Sequence, residues 1–121
     1  MQLRAIQYRS IAKLHMCVGC ESKIEILRVL ALEPCNVKSL SDTLALSQSS
    51  ISHHLAAMRN CHLVLSVRRS QISVYRLSPL VSVVEHPDCV SVEVRCEIDD
   101  SSVRVTVPVR HTLVHAQGSV L

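Results

Sequence analysis

The alternation of apolar and polar side chains changes period once along this chain, close to Leu63. Before that point apolar residues recur at spacings of three and four, the mark of helices with one buried face. Leu3, Ile6 or Tyr8, Ile11, Leu14 and Val18 follow this spacing with Arg4, Arg9 and Lys13 between them, so Gln2 to Met16 is predicted as an amphipathic helix. Gly19 and Cys20 interrupt it, and Glu21 opens a second helix. Ile24, Ile26, Leu27, Val29, Leu30 and Leu32 make that second helix apolar around most of its circumference, which places it at the centre of the core. Pro34 stops it, because proline lacks the amide donor and pushes its predecessor out of the helical region. Asn36 and Ser47 carry short acceptors suited to helix N-caps. They predict a third helix with Val37, Leu40 and Leu44 and, one tight turn later, a fourth. In the fourth, Ile51, Leu55 and Met58 fall at i, i+4 and i+7 and face inward. Gln48, Ser49, Ser50, Ser52, His53 and Ala56 are left outside.

From Leu63 to Leu77 the period becomes two, with Val67, Ile72, Val74 and Tyr75 around Arg68-Arg69-Ser70-Gln71. This predicts a hairpin with a basic tip. The tip carries no glycine, which leaves its turn type open. Further on, Val90, Val92, Val94, Cys96 and Ile98 alternate, as do Val103, Val105, Val107 and Val109, across Asp99-Asp100-Ser101-Ser102. A second hairpin follows, and Pro108 puts its returning strand at a sheet edge. Val81 to Glu85 has room for a helical turn or two, while Pro87 and the valine alternation argue against a long helix. The expected fold is α+β, with residues 1–79 as a winged helix-turn-helix and residues 80–121 as a valine-rich β-hairpin extension.

Composition sharpens this division. At 121 residues and 48% hydrophobic, the chain is one domain with ample core and is no disordered tail. Phe and Trp are absent and Tyr occurs twice, so the stacking platforms of single-strand binders are missing. No apolar run approaches the roughly 20 residues that cross a bilayer, and no secretion signal follows Met1. The expectation is a soluble, cytoplasmic protein with no membrane contact. From Met1 to Pro79 there are 10 Lys and Arg against 4 acids, or +6; from Leu80 onward there are 3 against 6, or −3. Contact with a polyanion therefore belongs to the first part.

A short helix, a tight turn, a helix with small polar side chains in its first turns and an arginine-tipped hairpin together suit duplex DNA. The positive end of the fourth helix can approach phosphate, serine and glutamine let its backbone lie deep in the major groove, and wing arginines can grip the flanking backbone. Gln48, Ser49, Ser50, Ser52 and His53 are the candidate base-facing residues. Arg68, Arg69 and Gln71 are the candidates on the wing.

The run LSQSSISHHLAAMRN, continued by CHLVLSVRRSQISVYRLSP, resembles the recognition helix and wing of the ArsR/SmtB family of bacterial metal-responsive repressors. The likeness lies in order and spacing: Leu46-Ser47-Gln48-Ser49, Ser52, His54-Leu55, Met58-Arg59, Leu63-Val64, Arg69 and Tyr75-Arg76-Leu77-Ser78-Pro79. It spans Glu21 to Pro79. The resemblance implies a homodimer built largely on terminal helices, so that the N-terminal helix is a dimerisation helix. It also implies repression of an operon through an inverted-repeat operator, and release of that operator on binding a metal ion, metalloid or oxidant. Three departures stand beside it. The family's Cys-x-Cys metal motif is missing from the third helix, which reads Val37-Lys38-Ser39-Leu40-Ser41-Asp42. The long fifth helix expected after Ser78-Pro79 is not supported by the sequence. His62 occupies a position where the family carries glycine, one that needs a left-handed backbone, which histidine tolerates better than most residues.

Six cysteines, Cys17, Cys20, Cys35, Cys61, Cys89 and Cys96, would remain reduced in the cytosol. Cys17 and Cys20 are the only close pair, and at i and i+3 around a helix end they can converge on one soft ion. A third ligand would have to come from elsewhere. Cys61, at the end of the recognition helix, is the choice, with Cys35 and His15 as alternatives, and a thiophilic ion such as arsenite, cadmium or zinc is the expected ligand. Cys96 reads as core packing. His53 and His54 read as part of the DNA helix rather than as a metal pair, since neighbouring helical positions point about 100° apart. Two further readings remain open: a dithiol switch at Cys17 and Cys20 that needs no metal, and a non-sensing interaction module whose valine hairpin pairs with another sheet edge. An enzyme is not expected, because the βαβ setting of a redox Cys-x-x-Cys and a glycine-rich loop are both lacking.

Overall fold

The computed structural model describes residues 19–95 and 102–108. The predicted first helix, with His15 and Cys17, lies outside the described residues, as do Cys96, Ile98 and Val109. Among the described residues the order is α1 (Glu21–Leu32), β1 (Cys35–Asn36), α2 (Val37–Leu44), α3 (Gln48–Asn60), β2 (Val64–Arg69), β3 (Ile72–Leu77), β4 (Val81–Glu85), β5 (Cys89–Arg95) and β6 (Ser102–Pro108).

Helix α1, the second helix of the sequence reading, places Ile24, Ile26, Leu27 and Leu30 in the core, where Leu40 of α2 and Ile51, Leu55 and Met58 of α3 are also fully enclosed. Each of these side chains withdraws apolar surface from water at about 25 cal/mol per Å². The expectation that α1 is central to the core holds for these four residues and stops short of its last turn. Leu32 is 85% exposed, because the helix runs past the core before Pro34 ends it.

Both predicted N-caps form. Asn36 Oδ1 accepts from the Ser39 amide at 2.8 Å and Ser47 Oγ from the Ser50 amide at 3.0 Å, which satisfies donors that a helix start otherwise leaves without partners. Three sharp corners follow, none of them a glycine. Ala45, with φ 56°, closes α2; His62, with φ 60°, follows α3; Ser70, with φ 57°, begins the hairpin tip. At the second corner the amide of His62 donates to the Arg59 carbonyl and that of Leu63 to the Met58 carbonyl, each at 3.0 Å. Met58 and Leu63 are both buried. These are the two bonds and the apolar contact of a Schellman cap. At the tip, Arg69 pairs with Ile72, leaving Ser70-Gln71 as a two-residue turn with positive φ at its first residue alone. That matches type II′ and settles the turn left open by the sequence.

The strands form two antiparallel sheets, ordered β1-β3-β2 and β4-β5-β6. Strand β1 was not expected: Cys35 and Asn36 pair with Tyr75 and Val74 far along the chain. Val81–Glu85 is a strand rather than a turn or two of helix, so the predicted tail hairpin is the larger part of a three-stranded sheet. The register lines up Val81, Val94 and Val103, and next to them Val83, Val92 and Val105, on one valine face. Val81, Val90 and Val92 join the same buried cluster as the helices. Arg28 of α1 fixes the second sheet from the side. Its Nε–H and Nη2–H donate to the two carboxylate oxygens of Glu85, both at 2.9 Å, while Nη1–H donates to Glu25 at 2.9 Å.

The left-handed His62 carries a Cβ where a glycine would carry none, at a cost of about 1–2 kcal/mol, partly offset by the lower freedom of the unfolded chain. His62→Gly is expected to stabilise the fold by about 0.5–1 kcal/mol in urea unfolding. His62→Val should destabilise it by at least as much.

Candidate nucleic-acid interface

Helices α2 and α3 meet at the Ala45 corner, and the geometry there is held from both sides. The Leu46 amide donates to the Ser41 carbonyl at 3.3 Å, and the Ser41 hydroxyl donates to the Leu46 carbonyl in a short bond. With the turn fixed, the buried face of α3 sets the helix's rotation about its axis. Ile51, Leu55 and Met58 are inside, so Gln48, Ser49, Ser52, His53 and Ala56 are exposed, followed by Arg59 and Asn60 in the last turn. Ser50 is half-buried, since its backbone is tied back to the Ser47 cap. Of the six side chains expected outside, it is the one drawn inward. The capped N-terminus of α3 concentrates amide donors and the positive end of the helix dipole beside these polar groups, which suits an approaching phosphate.

The two adjacent histidines separate as the 100° step requires. Their rings lie 6.1 Å apart at 59°. His53 is exposed, whereas His54 turns partly inward, and its Nδ1 is enclosed with no hydrogen-bond partner among the described residues. Burial, then the charge of Lys23 on α1, then His53, hold the His54 imidazole below its ordinary range. His54 thus belongs to the packing of α3 rather than to its outer face.

In the wing, strand alternation sends neighbouring arginines to opposite faces. Arg68 stands opposite Ser73, on the side of Val64, Tyr75 and Cys35, while Arg69 stands opposite Ile72, on the outer side. Arg76 pairs with Leu65 and shares that outer side. Together with Pro34, Val67 and Val74, Arg69 and Arg76 line an open hollow of about 540 Å³. Arg76 and Arg59 are exposed cations that the sequence reading did not single out. For Arg76 the signal was present, because positions 65, 67 and 69 and positions 72, 74 and 76 face the same way across a two-residue turn. Gln71 is exposed in that turn.

The cysteines are spread through the fold. Cys20 is half-buried at the N-cap of α1, and Cys61 is half-buried at the C-cap of α3. Cys17 lies outside the described residues. Cys35 is buried in β1, where its Sγ–H donates to the Glu33 carbonyl at 3.5 Å. Burial, with the nearby Glu33 charge, pushes its thiol up and disfavours the thiolate that binds metal. Cys89 is half-buried in β5. Among the described residues no three His, Cys, Asp or Glu side chains converge so as to hold a metal. Among the described residues no helix is long and apolar enough to cross a membrane.

A capped turn, a helix rotated so that its small polar face is outward, and an arginine-bearing hairpin define a winged helix-turn-helix DNA-binding regulator. The family model for bacterial regulatory proteins of the arsR family matches residues 20–66, and the chain belongs to that family. Among solved structures it is similar to HlyU from Vibrio cholerae, at 33% identity and a TM-score of 0.56, over 60% of this chain and 78% of that one. The cadmium metal-sensor CMTR from Mycobacterium tuberculosis is 28% identical, with a TM-score of 0.50 over 55% of this chain and 70% of that one. The homodimeric winged helix-turn-helix domain of Mb0332 from Mycobacterium bovis shares the fold, at 20% identity and a TM-score of 0.60, over 62% and 69% of the two chains. No curated protein sequence matches.

The depressed His54 gives the fold a pH dependence. A histidine that protonates less readily when folded leaves the unfolded chain binding more protons, so stability is full above the ordinary value of 6.5 and is lost as pH falls through the folded value. Urea midpoints are expected to decline as pH is lowered from 7 through the region below about 6.5. His54→Leu should flatten this decline, and an unchanged profile would show that another group carries it.

Proposed function

We propose that this chain is a dimeric transcriptional repressor that occupies an inverted-repeat operator and leaves it when a thiophilic ion engages its cysteines. The observation that carries the reading is the fixed relation between the outer face of α3 and the arginine wing. The Ser47 cap and the Schellman corner at His62 hold the two ends of α3, and the pairing of β2 with β3 follows directly. In this reading Gln48, Ser49, Ser52 and His53 meet base edges, Ser50 supports the cap, and Arg68, Arg69 and Gln71 meet the backbone. Two such units would place their recognition helices about 34 Å apart, one turn of duplex. The homodimeric state of the Mb0332 domain is consistent with this arrangement.

For the signal, Cys17 and Cys20 supply two thiolates at the junction that leads into α1, and Cys61 would supply a third. The spacing of the pair supports this, as does the similarity to a cadmium sensor. Arsenite, cadmium and zinc are the candidate ions. Release needs a ligand that prefers the unbound state of the protein, and coupling of about 1–3 kcal/mol is the usual range. Oxidation of the Cys17 and Cys20 pair to a disulfide is the second reading, since two thiols suffice for it.

Binding to the chain's own upstream DNA, titrated with salt, tests the first part. Arg69→Ala is expected to weaken binding to all sequences and to lower the salt slope by about 0.9 for one lost phosphate contact. Ser52→Ala should change preference among sequences instead. Affinity that does not respond to salt would count against duplex recognition.

Cys17→Ser and Cys20→Ser are expected to bind the operator as the native chain does but to keep it when ion is added. If both variants release DNA normally, the ion acts elsewhere. Release by oxidant in the absence of ion, reversed by reductant, selects the dithiol reading.

A further inference from the structure

The second sheet has two edges, and they differ. Strand β4 is flanked by α1, with Arg28 holding Glu85 through both carboxylate oxygens. Strand β6 ends the order β4-β5-β6, and among the described residues nothing pairs with its outer side. We infer that two copies of this chain pair antiparallel through β6, joining their second sheets into one of six strands. This rests on the dimer in the reading above and adds a sheet surface to the one expected of its terminal helices.

An open edge invites pairing, and proteins that avoid it place charge, proline or a bulge there. Strand β6 reads Ser102-Val103-Arg104-Val105-Thr106-Val107-Pro108, almost wholly of strand-forming residues, with its proline at the last position. Its single charge lies on the polar face, where Arg104 donates to Glu93 of β5 at 2.9 Å. That charge is thus paired within one copy.

The sequence of β6 is also self-complementary, which a two-fold interface requires. With the axis at Val105, all seven residues pair: Val103 of one copy faces Val107 of the other, Arg104 faces Thr106, and Ser102 faces Pro108. An axis at Arg104 would set two arginines against each other. An axis at Thr106 would set Arg104 against Pro108 and leave two residues without counterparts. A shift by one residue would turn the valines of one copy toward the polar face of the other. Of these registers, the Val105 one joins the two valine faces, opposes no like charges and pairs every residue of the strand. Val103, Val105 and Val107, half-buried in one copy, then gain cross-strand valine neighbours.

The test is sedimentation of the full chain across a concentration series, native and with Val105→Lys. Two lysines at the axis are expected to raise the dimer Kd by about tenfold or more. Because a lysine there could also loosen the sheet, Val105→Cys is measured beside it. Directly opposed positions lie close enough for a disulfide. Mild oxidation should therefore yield a covalent dimer whose link, located by peptide mass spectrometry, joins position 105 of the two copies. A native chain that stays monomeric, a dimer indifferent to Val105→Lys, or no 105-to-105 link in a chain that is dimeric would each overturn the inference. DNA affinity read on the same samples separates the two claims. A monomer that binds its operator refutes the β6 pairing and leaves the helix-turn-helix reading standing. A dimer linked at position 105 that lacks DNA affinity does the reverse.

Discussion

The burial of Ile51, Leu55 and Met58 against α1 and the first strand of the wing is the constraint on which the rest depends. A helix presents whatever its buried face leaves over, so these three side chains decide that Gln48, Ser49, Ser52 and His53 stand outside. Truncating a fully enclosed Leu, Ile or Met to Ala costs about 2–5 kcal/mol, a large share of the stability of a small domain. The rotation of α3 is therefore fixed by terms much larger than any single contact its outer face could make with DNA. The polar surface can vary without disturbing the frame that aims it.

What could be read from the sequence divides along the same physical line. The inner face of α3, the two caps at Asn36 and Ser47, and the basic hairpin are local, set by spacing and by side chains bonding to amides three residues on. Each was legible. Strand β1 was not, because two residues become a strand only through Tyr75 and Val74, some forty positions away. Val81 to Glu85 was equally ambiguous until Val83 met Val92. In the candidate site, the exposed face of the recognition helix was legible. The inward turn of His54 and the upward push on the Cys35 thiol were not, since both follow from the packing of other elements around them.

The tail is bound to the winged helix by burial and charge together. Val81, Val90 and Val92 sit in one apolar cluster with Ile26, Leu27 and Leu55, and the Arg28 to Glu85 clip adds a fork of two parallel hydrogen bonds. Exposed ion pairs are weak in isolation, but this one is directional. It ties β4 to the middle of α1, the helix whose N-cap is Cys20, so the second sheet and the thiol-bearing end of α1 share one rigid element.

The wing has a further property that follows from its two faces. Its inner side carries Val64, Tyr75 and Leu77, yet its outer side carries Leu65, Val67, Ile72 and Val74 beside Arg69 and Arg76, so apolar residues stand on both sides. In most hairpins a slip of one residue is forbidden because it would drag polar side chains into the core. Here that safeguard is weak, and alignment of the strands falls to the tight turn at Ser70. Loop length at the tip is accordingly the least forgiving dimension of this protein. One inserted or deleted residue there would change which residues of β3 face Arg68 and Arg69, now Ser73 and Ile72, while leaving composition, charge and hydrophobic content almost untouched.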